Sequence, residues 1–176
     1  MKQTFQTRDL CAVAVFTALT AAMAWLSIPL PYGVPLTFQT LAVLLAGVVL
    51  GPKKGALAAA AYLLLGTAGA PVFAGGRGGL GVVFGPTGGF LLSFPLMALA
   101  AGIGASKTGR WPLWLGVAAG AAVNYMCGML YFSLYMSSGL LHAFTVCVLP
   151  FIPADILKMA AAGLLGKRLR TLPADA

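Results

Sequence analysis

Hydrophobic residues run along this chain in long blocks, broken at intervals by proline, glycine and small clusters of basic residues. About 20 apolar residues carry a helix across the hydrocarbon core of a bilayer, and the blocks have that scale. A first span is predicted over residues 9–28, closed by Pro29 and Pro31, and a second over 36–50, starting just after Pro35. Gly51-Pro52-Lys53-Lys54-Gly55 reads as a tight basic turn, after which a third span covers 56–70. A glycine-rich loop over 71–89 feeds a fourth span over 86–105, and a fifth runs over 111–136 with Trp111 and Trp114 placed as interfacial anchors. Residues 140–149 are apolar but too short to cross, and they read as a short outer helix. Pro150 and Pro153 then interrupt the pattern. Proline is tolerated in the first turn of a helix and not in its interior, so the sixth helix is expected over 151–168. The predicted class is an all-α integral membrane protein, a single transmembrane domain of six helices over residues 1–176.

Composition supports that class. Of the 176 residues 60% are hydrophobic and 8% charged, and mean hydropathy is +0.96, well outside the range of ordinary soluble domains. Ala22-Met23-Ala24 has the small-x-small form of a signal cleavage site. The run before it extends far enough to span, however, and further spans follow, so a retained first helix is expected. Cys11, Cys127 and Cys147 lack metal-ligand spacing and lie in apolar surroundings, which argues against a disulfide framework.

The formal charge of +8 does not mark a nucleic-acid surface, because the basic residues fall in clusters between apolar runs. Six spans put Lys2, Arg8, Lys53, Lys54, Lys107, Arg110, Lys167, Arg168 and Arg170 on one side of the membrane, with Arg77 alone on the other. By the positive-inside rule both termini are then cytoplasmic and the loops at 29–37, 71–89 and 137–150 face outward.

Asp155 and Lys158 break the apolar pattern of the last helix. Three residues apart on a helix, they share a face, and Asp155 falls in the first turn, at the positive end of the helix dipole. A charge at bilayer depth costs roughly 2.5–3.5 kcal/mol on insertion scales, so an intramembrane charge is by default a site residue. A carboxylate that accepts from N–H groups, beside an ammonium that binds carboxylate, suits a small anionic solute carrying an amide or urea. The competing reading is an internal ion pair that only neutralises itself. Thr37, Gln39, Phe73, Arg77 and Thr87 lie in the outward loops, so the expected site is a cavity opening outward with the charged pair at its floor.

Other motifs carry less. Gly76, Gly78 and Gly81 form a G-x-G-x-x-G, but no acidic residue lies between Asp9 and Asp155, which rules out a dinucleotide fold. The chain contains no G-x-x-x-x-G-K-[ST], so any ATP-driven step needs another subunit. His142 is the only histidine and has no acids or cysteines near it in sequence, which discounts a metal site and Ser/His/Asp chemistry. Small residues recur every fourth position at Ala14, Ala18 and Ala22, and at Gly116, Gly120, Asn124 and Gly128. Each stripe suits close helix packing, with a partner or within the chain.

Four stretches in this order carry a resemblance: Val34-Pro35-Leu36-Thr37-Phe38-Gln39-Thr40, Pro71-Val72-Phe73-Ala74-Gly75-Gly76, Gly85-Pro86-Thr87-Gly88-Gly89 and Pro150-Phe151-Ile152-Pro153-Ala154-Asp155-Ile156-Leu157-Lys158. Almost end to end, the chain resembles the biotin-specific substrate-binding (S) component of energy-coupling factor (ECF) transporters. The resemblance implies a multi-pass protein of the bacterial cell membrane that captures biotin from outside and is not itself an enzyme. It implies no cofactor, biotin being the transported ligand. It also implies an S-component fold with an outward pocket to which Asp155 and Lys158 belong. Asp155 would accept from the ureido N–H groups and Lys158 would pair with the valerate carboxylate, roles exchangeable with Arg77 or with backbone donors. Thr37, Gln39, Phe73, Gly75, Thr87, Gly88 and Tyr125 are further candidates, and Phe90 stands where the family often has tyrosine. Ala14, Ala18 and Ala22 would dock on a transmembrane coupling (T) subunit, with two ATPase subunits completing the transporter. An S component for another small vitamin and a stand-alone secondary transporter, proton-coupled through Asp155, remain open. A membrane enzyme would need a second carboxylate near Asp155 or a metal cluster, and the sequence supplies neither.

Overall fold

The computed structural model describes residues 6–30 and 33–171; Lys2 and Pro31, which entered the topology and span assignments above, lie outside the described residues. Among the described residues eight α-helices follow in order, α1 (Thr7–Trp25), α2 (Gln39–Leu50), α3 (Pro52–Thr67), α4 (Leu80–Val83), α5 (Gly88–Ser106), α6 (Arg110–Tyr135), α7 (Leu140–Cys147) and α8 (Ile152–Thr171). Helices α1, α5 and α6 are each long and apolar enough to cross a membrane. So is the α7–α8 pair taken as one span, bent by 61° at its break.

Local chemistry places the boundaries. Proline at the first helical position gives up only an N–H that has no intrahelical partner, and α3 begins on Pro52. The expected basic turn therefore shrinks to Gly51, whose φ of +82° reverses the chain in one residue, and Lys53 and Lys54 lie in the first turn of α3. The second span also starts later than expected. Leu36–Thr37 is extended and pairs antiparallel with Ser27–Ile28, giving a two-strand ladder (β1, Ser27–Ile28; β2, Leu36–Thr37) that delays α2 to Gln39. Within the loop at 71–89, Ala74–Gly76 forms a single 3-10 turn and Leu80–Val83 the short α4. Pro153 sits in the first turn of α8, with Asp155, as its sequence position demands.

Helix α2 is the central element, buried at every position from Ala42 to Val48 and packed against α1, α3, α5 and α8. The two small-residue stripes part company. Gly116, Gly120, Asn124 and Gly128 are buried, and an added Cβ on Gly116 would come within 2.6 Å of the Gly104 Cα, so this stripe is where α6 meets α5. Ala14, Ala18 and Ala22 are exposed, because α1 turns Val13, Thr17, Thr20 and Ala24 inward instead.

Basic side chains tie helices together at one end. Lys54 on α3 pairs with Asp9 on α1, and the Arg170 guanidinium on α8 donates to the Ala105 carbonyl on α5. At the opposite end lie the β1–β2 ladder, the 71–79 loop and the α7–α8 break. The Trp25 indole N–H, at the last residue of α1, ties that helix to the loop by donating to the Pro71 carbonyl at 3.3 Å.

Candidate functional site

The loop end opens into a cavity with about 610 Å³ of unfilled space, the open solvent at its mouth included. Its floor is the ion pair. Lys158 Nζ donates to Asp155 Oδ1 at 2.7 Å, and the side chains of Lys158 and Asp155 are only 6% and 8% exposed. Neither charge rests on the other alone. The ammonium also donates to the Thr37 carbonyl at 2.6 Å and lies 5.6 Å from the centroid of the Phe38 ring. The carboxylate accepts from the Tyr125 hydroxyl at 2.5 Å through Oδ2, and from Thr40 Oγ1 at 3.4 Å through Oδ1. A buried pair whose remaining polar valences are filled in this way is tolerated where a bare charge is not.

The walls are mainly apolar. Phe73 is fully buried, its ring seated on Gly66, where any Cβ would come within 2.1 Å of it, and edge-on to Tyr62 at 5.5 Å. Gln39 holds this wall in place. Its side-chain N–H donates to the Tyr62 hydroxyl at 2.6 Å, which donates in turn to the Val72 carbonyl at 3.0 Å. Val34, Phe90, Leu91, Phe94 and Phe151 complete the apolar surface.

Arg77 stands at the mouth, exposed to solvent. The loop carrying it closes on itself: the Phe73 N–H donates to the Arg77 carbonyl at 2.8 Å, and Arg77 Nε donates to the Ala74 carbonyl at 3.1 Å. Gly75 and Gly76, each at φ +70°, make that closure possible where a β-carbon would be strained.

Eight of the ten expected site residues line the cavity: Asp155, Lys158, Thr37, Gln39, Phe73, Arg77, Thr87 and Tyr125. Gly75 does not; it lines a shallower neighbouring groove between the ladder and the loop, one that shares Arg77 with the cavity. Gly88 lies outside both. It is buried because α4 presses on it, with the Val83 carbonyl 1.9 Å from where a Cβ would sit, so its role is packing. Sequence reasoning did not single out Thr40 or Asn124 as site residues, although both line the cavity. Thr40 closes the stretch that begins at Val34 and carries Thr37 and Gln39. Asn124 was visible only as a member of the α6 stripe. Among the described residues no group of three or more His, Cys, Asp or Glu side chains is placed to hold a metal ion.

The sequence model of the BioY family matches residues 1–174. A probable biotin transporter BioY from Pyrococcus horikoshii is 40% identical over 163 residues, 93% of this chain and 96% of that protein. The biotin transporter BioY from Thermotoga maritima is 41% identical over 170 residues, 96% of this chain and 99% of its own. Among solved structures, the S-component for biotin from an ECF-type ABC transporter superposes with a TM-score of 0.88 at 26% identity, covering 97% of this chain and 96% of that one.

Proposed function

The chain belongs to the BioY family, and on that premise we propose that it is a biotin transporter, the membrane-embedded S component of an ECF-type ABC transporter. The observation that carries the reading is the cavity itself, an apolar chamber with a buried ion pair at its floor and an exposed arginine at its mouth. Biotin has a matching polarity. Its ureido bicycle is compact and largely apolar with a polar edge, and its valerate carries a carboxylate at the far end.

The burial pattern favours one orientation. Lys158 is already neutralised by Asp155 and enclosed, so a second carboxylate at the floor would add an unbalanced buried charge. The ureido ring therefore goes down onto Asp155, Lys158, Tyr125 and Thr40, with Phe73 and Gln39 beside it. The carboxylate stays near water at Arg77, whose planar guanidinium suits it. Thr37 and Thr87 flank the path between the two ends.

Six spans cross the membrane with the basic end and both termini cytoplasmic, which the positive-inside rule supports and which opens the cavity outward. Such a protein binds and carries; it is not an enzyme. Energy comes from a T subunit and two ATPase subunits, and the exposed stripe Ala14, Ala18 and Ala22 is the surface through which α1 meets the T subunit. Uptake of labelled biotin by cells stripped of their own biotin transporter tests the assignment. Uptake that needs this chain together with a coupling module supports it, and failure with every ECF module supplied counts against it.

A further inference from the structure

Five polar residues, Thr40, Asn124, Tyr125, Asp155 and Lys158, are shared between the main cavity and a smaller one of about 210 Å³ beneath it, so they form the partition on which a ligand rests. The hydrogen bonds of that partition are unevenly committed. Asp155 accepts from Lys158, Tyr125 and Thr40, so its two oxygens already serve three donors. Asn124 is different. It is 2% exposed, and its amide nitrogen donates to the Phe90 carbonyl at 2.9 Å and to Ser93 Oγ at 2.8 Å.

Those two partners fix which way the carboxamide faces. The Phe90 carbonyl only accepts, and Ser93 Oγ spends its own proton on the same carbonyl at 2.9 Å. Both must therefore meet the nitrogen. Asn124 Oδ1 accepts no hydrogen bond from the described residues, and it is not sealed within protein either. It is an oriented acceptor on a cavity wall, held by two bonds that involve no ligand.

We infer that Asn124 is a specificity-determining residue of this site, its Oδ1 accepting one ureido N–H of biotin while α5 holds the amide in place. The inference rests on the biotin reading above and deepens it. A carboxamide oxygen suits this task because it is neutral: it accepts an N–H without adding charge to a partition whose charges already balance. A buried acceptor left unpaired is also what makes a site reject an analogue that lacks the donor.

The test is a cycle of two ligand sets against variants. Binding of biotin and of its two mono-N-methyl ureido derivatives is measured by calorimetry on the wild-type chain and on Asn124→Ala. On the wild type, methylation of one ureido nitrogen is expected to weaken binding by about tenfold or more, as befits a lost buried hydrogen bond. On Asn124→Ala, biotin itself binds about tenfold more weakly, and the penalty for that methyl group shrinks to within about threefold. An equal methylation penalty in both proteins overturns the assignment. Should Asn124→Ala fail to fold, Asn124→Leu, close to the carboxamide in size and without an acceptor, takes its place in the cycle, and a methylation penalty unchanged from wild type in that variant overturns it equally. If wild-type protein binds no biotin, the functional reading falls and this inference with it; biotin binding without coupling to Asn124 overturns the inference alone.

Discussion

Asp155→Ala removes the counterion of an ammonium that is only 6% exposed and 2.7 Å from its partner. The substitution leaves Lys158 with the Thr37 carbonyl and the face of Phe38, neither of which neutralises it. Breaking a buried pair from one side typically costs about 3–5 kcal/mol, whereas replacing both members with apolar groups of similar size is often neutral. In a chain of this length that destabilisation corresponds to a fall in melting temperature of order 10 °C. The double variant Asp155→Ala/Lys158→Met should recover most of the loss, since the stranded charge is gone. Biotin binding should not recover with it, because the polar floor on which the ureido ring rests is gone as well. Thermal unfolding in detergent, followed by intrinsic fluorescence, together with calorimetric titration of biotin into the three variants, separates the two effects. A single variant as stable as wild type would refute the energetic argument. A double variant that binds biotin at wild-type strength would show that the pair only neutralises itself.

Two further outcomes are expected. Arg77→Ala should weaken binding of biotin roughly fivefold, about 1 kcal/mol for an exposed charge-assisted contact, and leave an uncharged biotin amide nearly unaffected. Equal losses for both ligands, measured by titration, would remove Arg77 from the carboxylate. Ala18→Trp, on the exposed face of α1, should leave biotin binding intact and abolish uptake in cells that contain the coupling module; a loss of binding would place that stripe in the fold instead.

The site was legible wherever chemistry broke the apolar pattern. Asp155 and Lys158 stand out because charges are rare in such a block, and their three-residue spacing alone puts them on a shared face. Asn124 escaped for the opposite reason: within a run of glycines at four-residue intervals it read as another small residue at a helix contact, and it is that as well. The two small-residue stripes could not be told apart, since small-xxx-small spacing says that a face is tightly packed and not against what. Only the burial of Val13, Thr17, Thr20 and Ala24 shows that α1 turns Ala14, Ala18 and Ala22 outward. The Leu36–Thr37 strand was misread as helix because two apolar-compatible residues after a proline carry no period of their own; its extended state comes from pairing with Ser27–Ile28, a contact across the chain. Gly88, a candidate from sequence, does not line the cavity and packs under Val83, a distinction that rests on the four-residue α4, too short to leave a periodic signal.

The most direct test of the account is calorimetric titration of biotin into the purified, folded chain in detergent, with thiamine and riboflavin as controls. Tight one-to-one binding of biotin alone is the predicted result. No heat of binding for biotin, in protein that is folded and free of co-purified biotin, would contradict the central claim.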